Sequence, residues 1–257
     1  MTTLHQLAEQ GQSIWLDFIR RSFLEEGKLA DLVAQGLRGV TSNPSIFHKA
    51  IDGGQEYDDD IRELVAERAT VNDIYEHLAV ADIRRACDIL RPVYDDTQGQ
   101  DGYVSLEVNP KLAYDTAGTV AEARRLRALV DRPNVMIKVP ATAQGIPAIR
   151  TLIGEGISIN VTLMFSLAHY DAVAEAYISG LEHLAEGGND LSRVASVASF
   201  FVSRVDGKVD AALAEQGNGD LQGQIAVANS QLAYGRFRQA FSGPRWQRLA
   251  NQGAQVQ

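Results

Sequence analysis

Six short apolar segments, each followed by a helical stretch, constrain this chain more than any other feature. They run Ser13 to Phe18, Gly39 to Asn43, Tyr103 to Val108, Val135 to Val139, Ile157 to Phe165 and Val194 to Val202. Their β-branched content and length predict strands. Lys28 to Gln35, Asn72 to Leu90, Thr116 to Val130, Leu167 to Leu184 and Gln224 to Phe241 carry apolar stripes of helical period. Gly36 is placed to cap the first of these. Alternation of strand and helix with right-handed crossovers predicts a parallel sheet, either open or closed into a barrel. An open nucleotide-binding sheet would carry a glycine-rich turn after its first strand. Here that strand runs into Ile19, Arg20, Arg21 and Ser22, and no Walker-type loop follows anywhere. The barrel is the better reading. Between Asn43 and Tyr103 only helices are predicted, an enlarged connection. No linker, repeat or low-complexity tract divides residues 1–257, so one α/β domain is expected.

Composition narrows the class. The 257 residues are 45% hydrophobic, enough for a full core. The single cysteine, Cys87, excludes an internal disulfide and suits a reducing cytosol. Met1 to Gln10 shows no basic-then-apolar signal region, and no apolar run approaches the ~20 residues of a membrane span. A cytoplasmic location and no membrane partner are expected. A net charge of −9 argues against nucleic acid as the partner, because phosphate neutralisation needs a basic face. It leaves small anionic substrates open. The acidic run Glu56 to Asp60 reads as a solvated helix face.

Side chains alternate across a strand, so parity sorts each segment into two faces. Ile14, Leu16 and Phe18 oppose Ser13, Trp15 and Asp17; Thr41 and Asn43 share a face. Tyr103, Ser105 and Glu107 oppose Val104, Leu106 and Val108, and Met136 and Lys138 oppose Val135, Ile137 and Val139. Ser158, Asn160 and Thr162 oppose Ile159, Val161 and Leu163; Ser199 and Phe201 oppose Ala198, Phe200 and Val202. Each strand thus has an apolar face and a second face that turns polar toward its C-terminal end. In a barrel those second faces converge at the rim that carries catalytic groups. Polar groups are costly to bury without a purpose.

Of five lysines, only Lys138 lies inside an apolar strand. Loss of water there favours the neutral amine, the form that attacks a carbonyl. The plainer alternative is a lysine that snorkels at the strand end or pairs with Glu107. Glu107 and Asp17 are acid–base candidates, or members of structural ion pairs. Thr162, Asn160 and Asn43 suit hydroxyls or a water, although an asparagine before Pro44 is equally a turn former. Ser199 lies late in the sixth strand and Arg204 follows it, where an arginine fork can grip phosphate; a surface salt bridge is the commoner fate. His5, His48, His77, His169 and His183 show no metal-ligand spacing, alone or with Cys87. No metal is expected.

At these residues the chain resembles the transaldolases. The second-strand signature is Gly39-Val40-Thr41-Ser42-Asn43-Pro44-Ser45, and Val104 to Pro110 resembles the third. Val135 to Pro140 with Thr142, Gln144 and Gly145 resembles the Schiff-base lysine motif. Ile159 to Ser166 and Ser199 to Arg204 resemble the fifth and sixth. The long helical segment after the second strand resembles the larger actinobacterial and cyanobacterial subfamily. The resemblance implies a (β/α)8 TIM barrel of the class I aldolase type and no cofactor. It also implies transfer of a dihydroxyacetone unit from sedoheptulose 7-phosphate or fructose 6-phosphate to an aldose phosphate, within the non-oxidative pentose phosphate pathway. By the same resemblance Lys138 forms the Schiff base, Asp17 takes the C4 hydroxyl proton, and Glu107 and Thr162 position a water. Asn43, Asn160 and Ser199 hold donor hydroxyls, Arg204 binds phosphate and Phe201 lines the pocket. In the family an aromatic hydroxyl at that last position goes with plain aldolase behaviour, so phenylalanine favours transfer.

One departure stands out. Six strands are counted where the barrel needs eight, and Ala254 to Gln257 fall where a seventh would begin. A barrel domain incomplete at its C-terminus is expected, either a fragment or a natural truncation. Two open edges predict low stability. Two alternatives stay beside transfer: a Schiff-base fructose 6-phosphate aldolase that releases free dihydroxyacetone, and a catalytically silent fragment serving as a binding module. A homo-oligomer is compatible with either.

Overall fold

The structure is a computed structural model and describes residues 2–257. The chain opens with α1 (Thr3–Glu9), β1 (Trp15–Asp17), α2 (Arg21–Glu25), α3 (Lys28–Ala34) and β2 (Gly39–Thr41). The enlarged connection follows as α4 (Pro44–Asp52), α5 (Asp58–Ala66) and α6 (Val71–Asp96). Then come β3 (Tyr103–Glu107), α7 (Thr116–Val130), β4 (Val135–Pro140), α8 (Gly145–Gly154), β5 (Ile159–Met164) and α9 (Leu167–Glu186). β6 (Ser196–Phe200), α10 (Ser203–Glu215), α11 (Ile225–Ala240) and α12 (Gly243–Ala250) complete it. The strands are parallel and hydrogen-bond in chain order, β1-β2-β3-β4-β5-β6, the order of a TIM barrel. Contacts divide the chain into two compact units, Met1–Glu107 with Arg125–Ile137 and Val108–Arg124 with Lys138–Gln257.

In the first unit, α6 has the strongest local start signal. Thr70 and Asp73 form a capping box, each side chain taking the other's backbone N–H. Leu78, Ile83, Cys87 and Leu90 then bury one face of the helix. Gly102 turns the chain into β3 at φ +83°, and a Cβ there would lie 2.3 Å from the Tyr94 backbone nitrogen. β1 pairs with β2 in register, Trp15 against Gly39 and Asp17 against Thr41. The Trp15 ring fills the space that a side chain on Gly39 would need. Phe18 departs from expectation: it is 39% exposed and stacks edge-on against Phe23. β1 ends at Asp17, so strand alternation no longer governs it.

The acidic run also differs from its reading as a solvated face. Glu56 takes hydrogen bonds from Arg20 and Ser22, Tyr57 is fully buried, and Asp60 binds Arg21. Helical period alone does not show which charges meet a partner. The Arg20 guanidinium holds the Glu56 carboxyl down from an ordinary 4.5 to about 2. A lowered carboxyl pKa adds stability above the ordinary value and loses it as pH falls toward the lowered one. Urea midpoints at pH 7 and pH 3 should therefore drop further in the native chain than in Glu56→Gln. An equal drop in both would show that the Arg20 contact carries no linkage.

In the second unit α8 packs on α9 at close range. A Cβ on Gly180 would lie 2.8 Å from the Arg150 carbonyl. α12 was not expected from sequence, being short, although Ser242 and Pro244 are start signals. Arg245 binds Glu175 and Glu182 on α9, and Trp246 packs edge-on against Phe241 at 4.8 Å. Beyond it, the Tyr177 hydroxyl donates to the Gln255 carbonyl, and the Gln257 amide donates to Ser196 at the start of β6.

β5 corrects one parity assignment. Val161 pairs with Ala198 but Met164 with Phe200, so β5 carries an extra residue. Leu163 absorbs it at φ +63°. The buried apolar face therefore runs Ile159, Val161, Met164, and Leu163 is only half-buried. Val202 likewise falls outside β6 and is exposed.

Candidate active site

Most of the candidate residues lie at or near the C-terminal ends of their strands; Asn160, the second residue of β5, does not. In the first unit Asp17 ends β1, Glu107 ends β3 and Asn43 stands just past β2. Asp17 is solvent-exposed, while Glu107 and Asn43 are half-buried. Asn43 proves to be a turn former: its Oδ1 accepts the Ile46 N–H at 3.0 Å and caps α4, with Pro44 in the first turn. That contact uses the carbonyl and leaves the amide for other work. Beneath it the buried Ser42 hydroxyl donates to the Ser105 carbonyl, fixing β2 against β3. Near Glu107 stands Tyr75, which sequence reasoning missed; its hydroxyl is pushed up to about 12 by burial and by the Glu107 charge. Tyr75 sits in an ordinary helical stripe, so no local signal marks it.

The second unit holds Lys138, Asn160, Thr162, Ser199, Phe201 and Arg204. Every residue of β4 is buried, and Lys138 is only 7% exposed. Its carbonyl accepts the Val108 N–H at 3.1 Å, and the Thr162 carbonyl accepts the Ala141 N–H at 2.8 Å. The turn after β4 is tight. The Gly145 N–H donates to the Thr142 hydroxyl, and a Cβ on Gly145 would lie 2.0 Å from the Pro140 carbonyl oxygen. Thr142 in turn donates to the Ala113 carbonyl. The strand that carries Lys138 is thus anchored at its exit.

Asn160 and Ser199 meet directly, the hydroxyl donating to Oδ1 at 2.9 Å. The Phe201 and Phe165 ring centres lie 5.2 Å apart, and the Arg204 guanidinium lies 4.8 Å from the centre of the Phe201 ring. Arg204 is exposed and makes no ion pair among the described residues. Cation–π contact holds it in place while its fork stays available. Burial is therefore less general than the strand pattern suggested. Lys138, Asn160 and Thr162 are buried, whereas Asp17 and Arg204 are not. Among the described residues no group of three or more His, Cys, Asp or Glu is arranged to hold a metal ion.

Residues 14–250 match the transaldolase/fructose-6-phosphate aldolase family. The chain belongs to that family. Transaldolase 1 of Streptomyces avermitilis is 51% identical over 99% of this chain and 68% of its own length. The transaldolases of Acidothermus cellulolyticus and Thermobifida fusca are each 51% identical over 99% of this chain, and over 69% and 70% of their own lengths. The resemblance read from the strand motifs is thereby borne out, and it is of the actinobacterial type. Its members' chemistry makes this chain an enzyme of the transaldolase kind, a transferase. No helix among the described residues is long and apolar enough to cross a membrane.

Proposed function

We propose that the chain transfers a dihydroxyacetone unit between sugar phosphates in the cytoplasm, with Lys138 as the Schiff-base nucleophile. The observation that carries this reading is a buried lysine on a wholly buried strand, within a chain that matches the family over nearly its whole length. The Lys138 amine adds to the C2 ketone of the donor, and loss of water leaves a protonated imine. Asp17 takes the C4 hydroxyl proton, the C3–C4 bond breaks, and the aldose phosphate leaves. The electron pair of that bond moves into the imine to form an enamine. The enamine carbon then attacks the aldehyde of a second aldose phosphate, and Asp17 returns its proton to the new hydroxyl. Water hydrolyses the imine and frees Lys138.

Glu107 and Thr162 position the water that moves protons as the imine forms and breaks. The amide of Asn43 and the Asn160–Ser199 pair hold hydroxyls of the three-carbon unit. Arg204, steadied on Phe201, grips the phosphate. The imine is its own electron sink, so the cycle balances without a metal or redox cofactor.

Phe201 offers no hydroxyl to a water, which favours transfer over hydrolysis of the enamine. Fructose 6-phosphate should accordingly turn over only when an acceptor aldose phosphate is supplied. Acceptor-independent release of dihydroxyacetone at a comparable rate would assign the chain to the aldolase branch instead.

A further inference from the structure

Asp17 has an exposed carboxylate at the end of a three-residue strand. Among the described residues nothing hydrogen-bonds its side chain. Its position therefore depends on the backbone that carries it. On one side that backbone is laddered to β2, with Asp17 opposite Thr41. On the other side only Phe18 and the buried Ile19 separate it from Arg20, Arg21 and Ser22.

All three of those residues are gripped by the enlarged connection. Arg20 donates to Glu56 and, at 3.1 Å, to the Gly53 carbonyl. The backbone N–H of Arg21 donates to the Tyr57 hydroxyl at 2.9 Å, and that hydroxyl donates to Asp82 at 2.8 Å. The Arg21 guanidinium donates to the other Asp82 oxygen at 3.0 Å and lies 4.5 Å from the centre of the Tyr57 ring. Ser22 donates to Glu56 at 2.9 Å. Gly53 is the C-cap of α4, the helix whose N-cap is Asn43. One polar cluster thus holds both the turn that follows Asp17 and the far end of the helix that starts at Asn43. None of its members is among the expected catalytic or binding residues, and the transfer chemistry leaves them unassigned.

We infer that Arg20, Arg21, Ser22, Glu56, Tyr57 and Asp82 are positioning residues for the proton transfer at Asp17. The inference rests on the role proposed for Asp17 above. A carboxylate with no side-chain partner is aimed by its backbone alone, and a displacement near 1 Å is enough to cost about a hundred-fold in rate. The Tyr57 hydroxyl is the most informative atom. It is the one group that joins the Arg21 backbone to Asp82, and Tyr57→Phe deletes it with little change in volume.

The test uses the whole chain with Tyr57→Phe, Asp17→Asn and the double variant. Tyr57→Phe should lower kcat for transfer by about ten- to a hundred-fold with KM changed less than about three-fold. Borohydride with fructose 6-phosphate should still trap a Lys138 adduct, because imine formation does not use Asp17. Added to Asp17→Asn, the Tyr57 change should cost less than about three-fold more, since both act on one step. Independent, multiplying losses would overturn the inference, as would normal kcat in folded Tyr57→Phe when Asp17→Asn is inactive. Full transfer by Asp17→Asn alone would overturn the role of Asp17 and the inference with it. Should Tyr57→Phe fail to fold, Ser22→Ala carries the same test, with a few-fold loss of kcat that vanishes in the Asp17→Asn background.

Discussion

Lys138→Met should lower transfer by on the order of 10⁶-fold, the scale seen when a covalent nucleophile is removed. Methionine keeps the length and apolar stem of lysine and suits a wholly buried strand, so the fold should survive. Borohydride reduction with fructose 6-phosphate and peptide mass mapping gives the direct check. The native chain should carry its adduct on the peptide that contains Lys138, and the variant should carry none. The other lysines, Lys28, Lys49, Lys111 and Lys208, lie on helices or loops outside the strands. An adduct on any of these, or transfer retained by Lys138→Met, would remove the proposed mechanism.

The second large effect is on stability. Asp82 is 1% exposed and Arg21 7%, so their pair is shielded from water. Burial pushes the Asp82 carboxyl up, while Arg21 and Tyr57 pull it back. Burial would also lower the Arg21 guanidinium, yet Asp82 and Asp60 carry it above its ordinary value. The ions hold each other in place. Asp82→Ala leaves a buried guanidinium with the half-exposed Asp60 as its remaining counter-ion and strips the Tyr57 hydroxyl of its acceptor. A loss of about 3 kcal/mol or more is expected from urea titration. Asp88→Ala is the contrast. Its bond to Arg132 is a surface pair, worth under about 1 kcal/mol. Similar losses from both variants would mean that burial does not set the strength of the Asp82 pair.

These two residues also mark what sequence reasoning reached and what it did not. Lys138 stood out because it interrupts an apolar run of strand length, and parity placed it with polar neighbours. That signal is local, and the motifs around it were specific enough to reveal the family. Asp82 gives no such signal. It sits within a helical stripe, and its partners Arg21 and Tyr57 are 61 and 25 positions away. The reading of Glu56 to Asp60 as a solvated face failed for the same reason, since charge density does not reveal a distant arginine. The bulge at Leu163 was hidden as well. Alternation predicts faces only while backbone angles stay extended, and nothing in Thr162-Leu163-Met164 announces a left-handed residue.

By itself, then, the sequence determined the strand–helix alternation, the strand ends that bear polar groups and the family, and it singled out Lys138 as the lysine proposed for the nucleophile. All of these rest on periodicity and short motifs, which are properties of neighbouring residues. Only the tertiary structure decided which polar groups are buried, where strand parity breaks, and that one ion cluster ties the Asp17 turn to α4. Those outcomes depend on which surfaces of distant segments meet, because desolvation and hydrogen bonding act through space rather than along the chain.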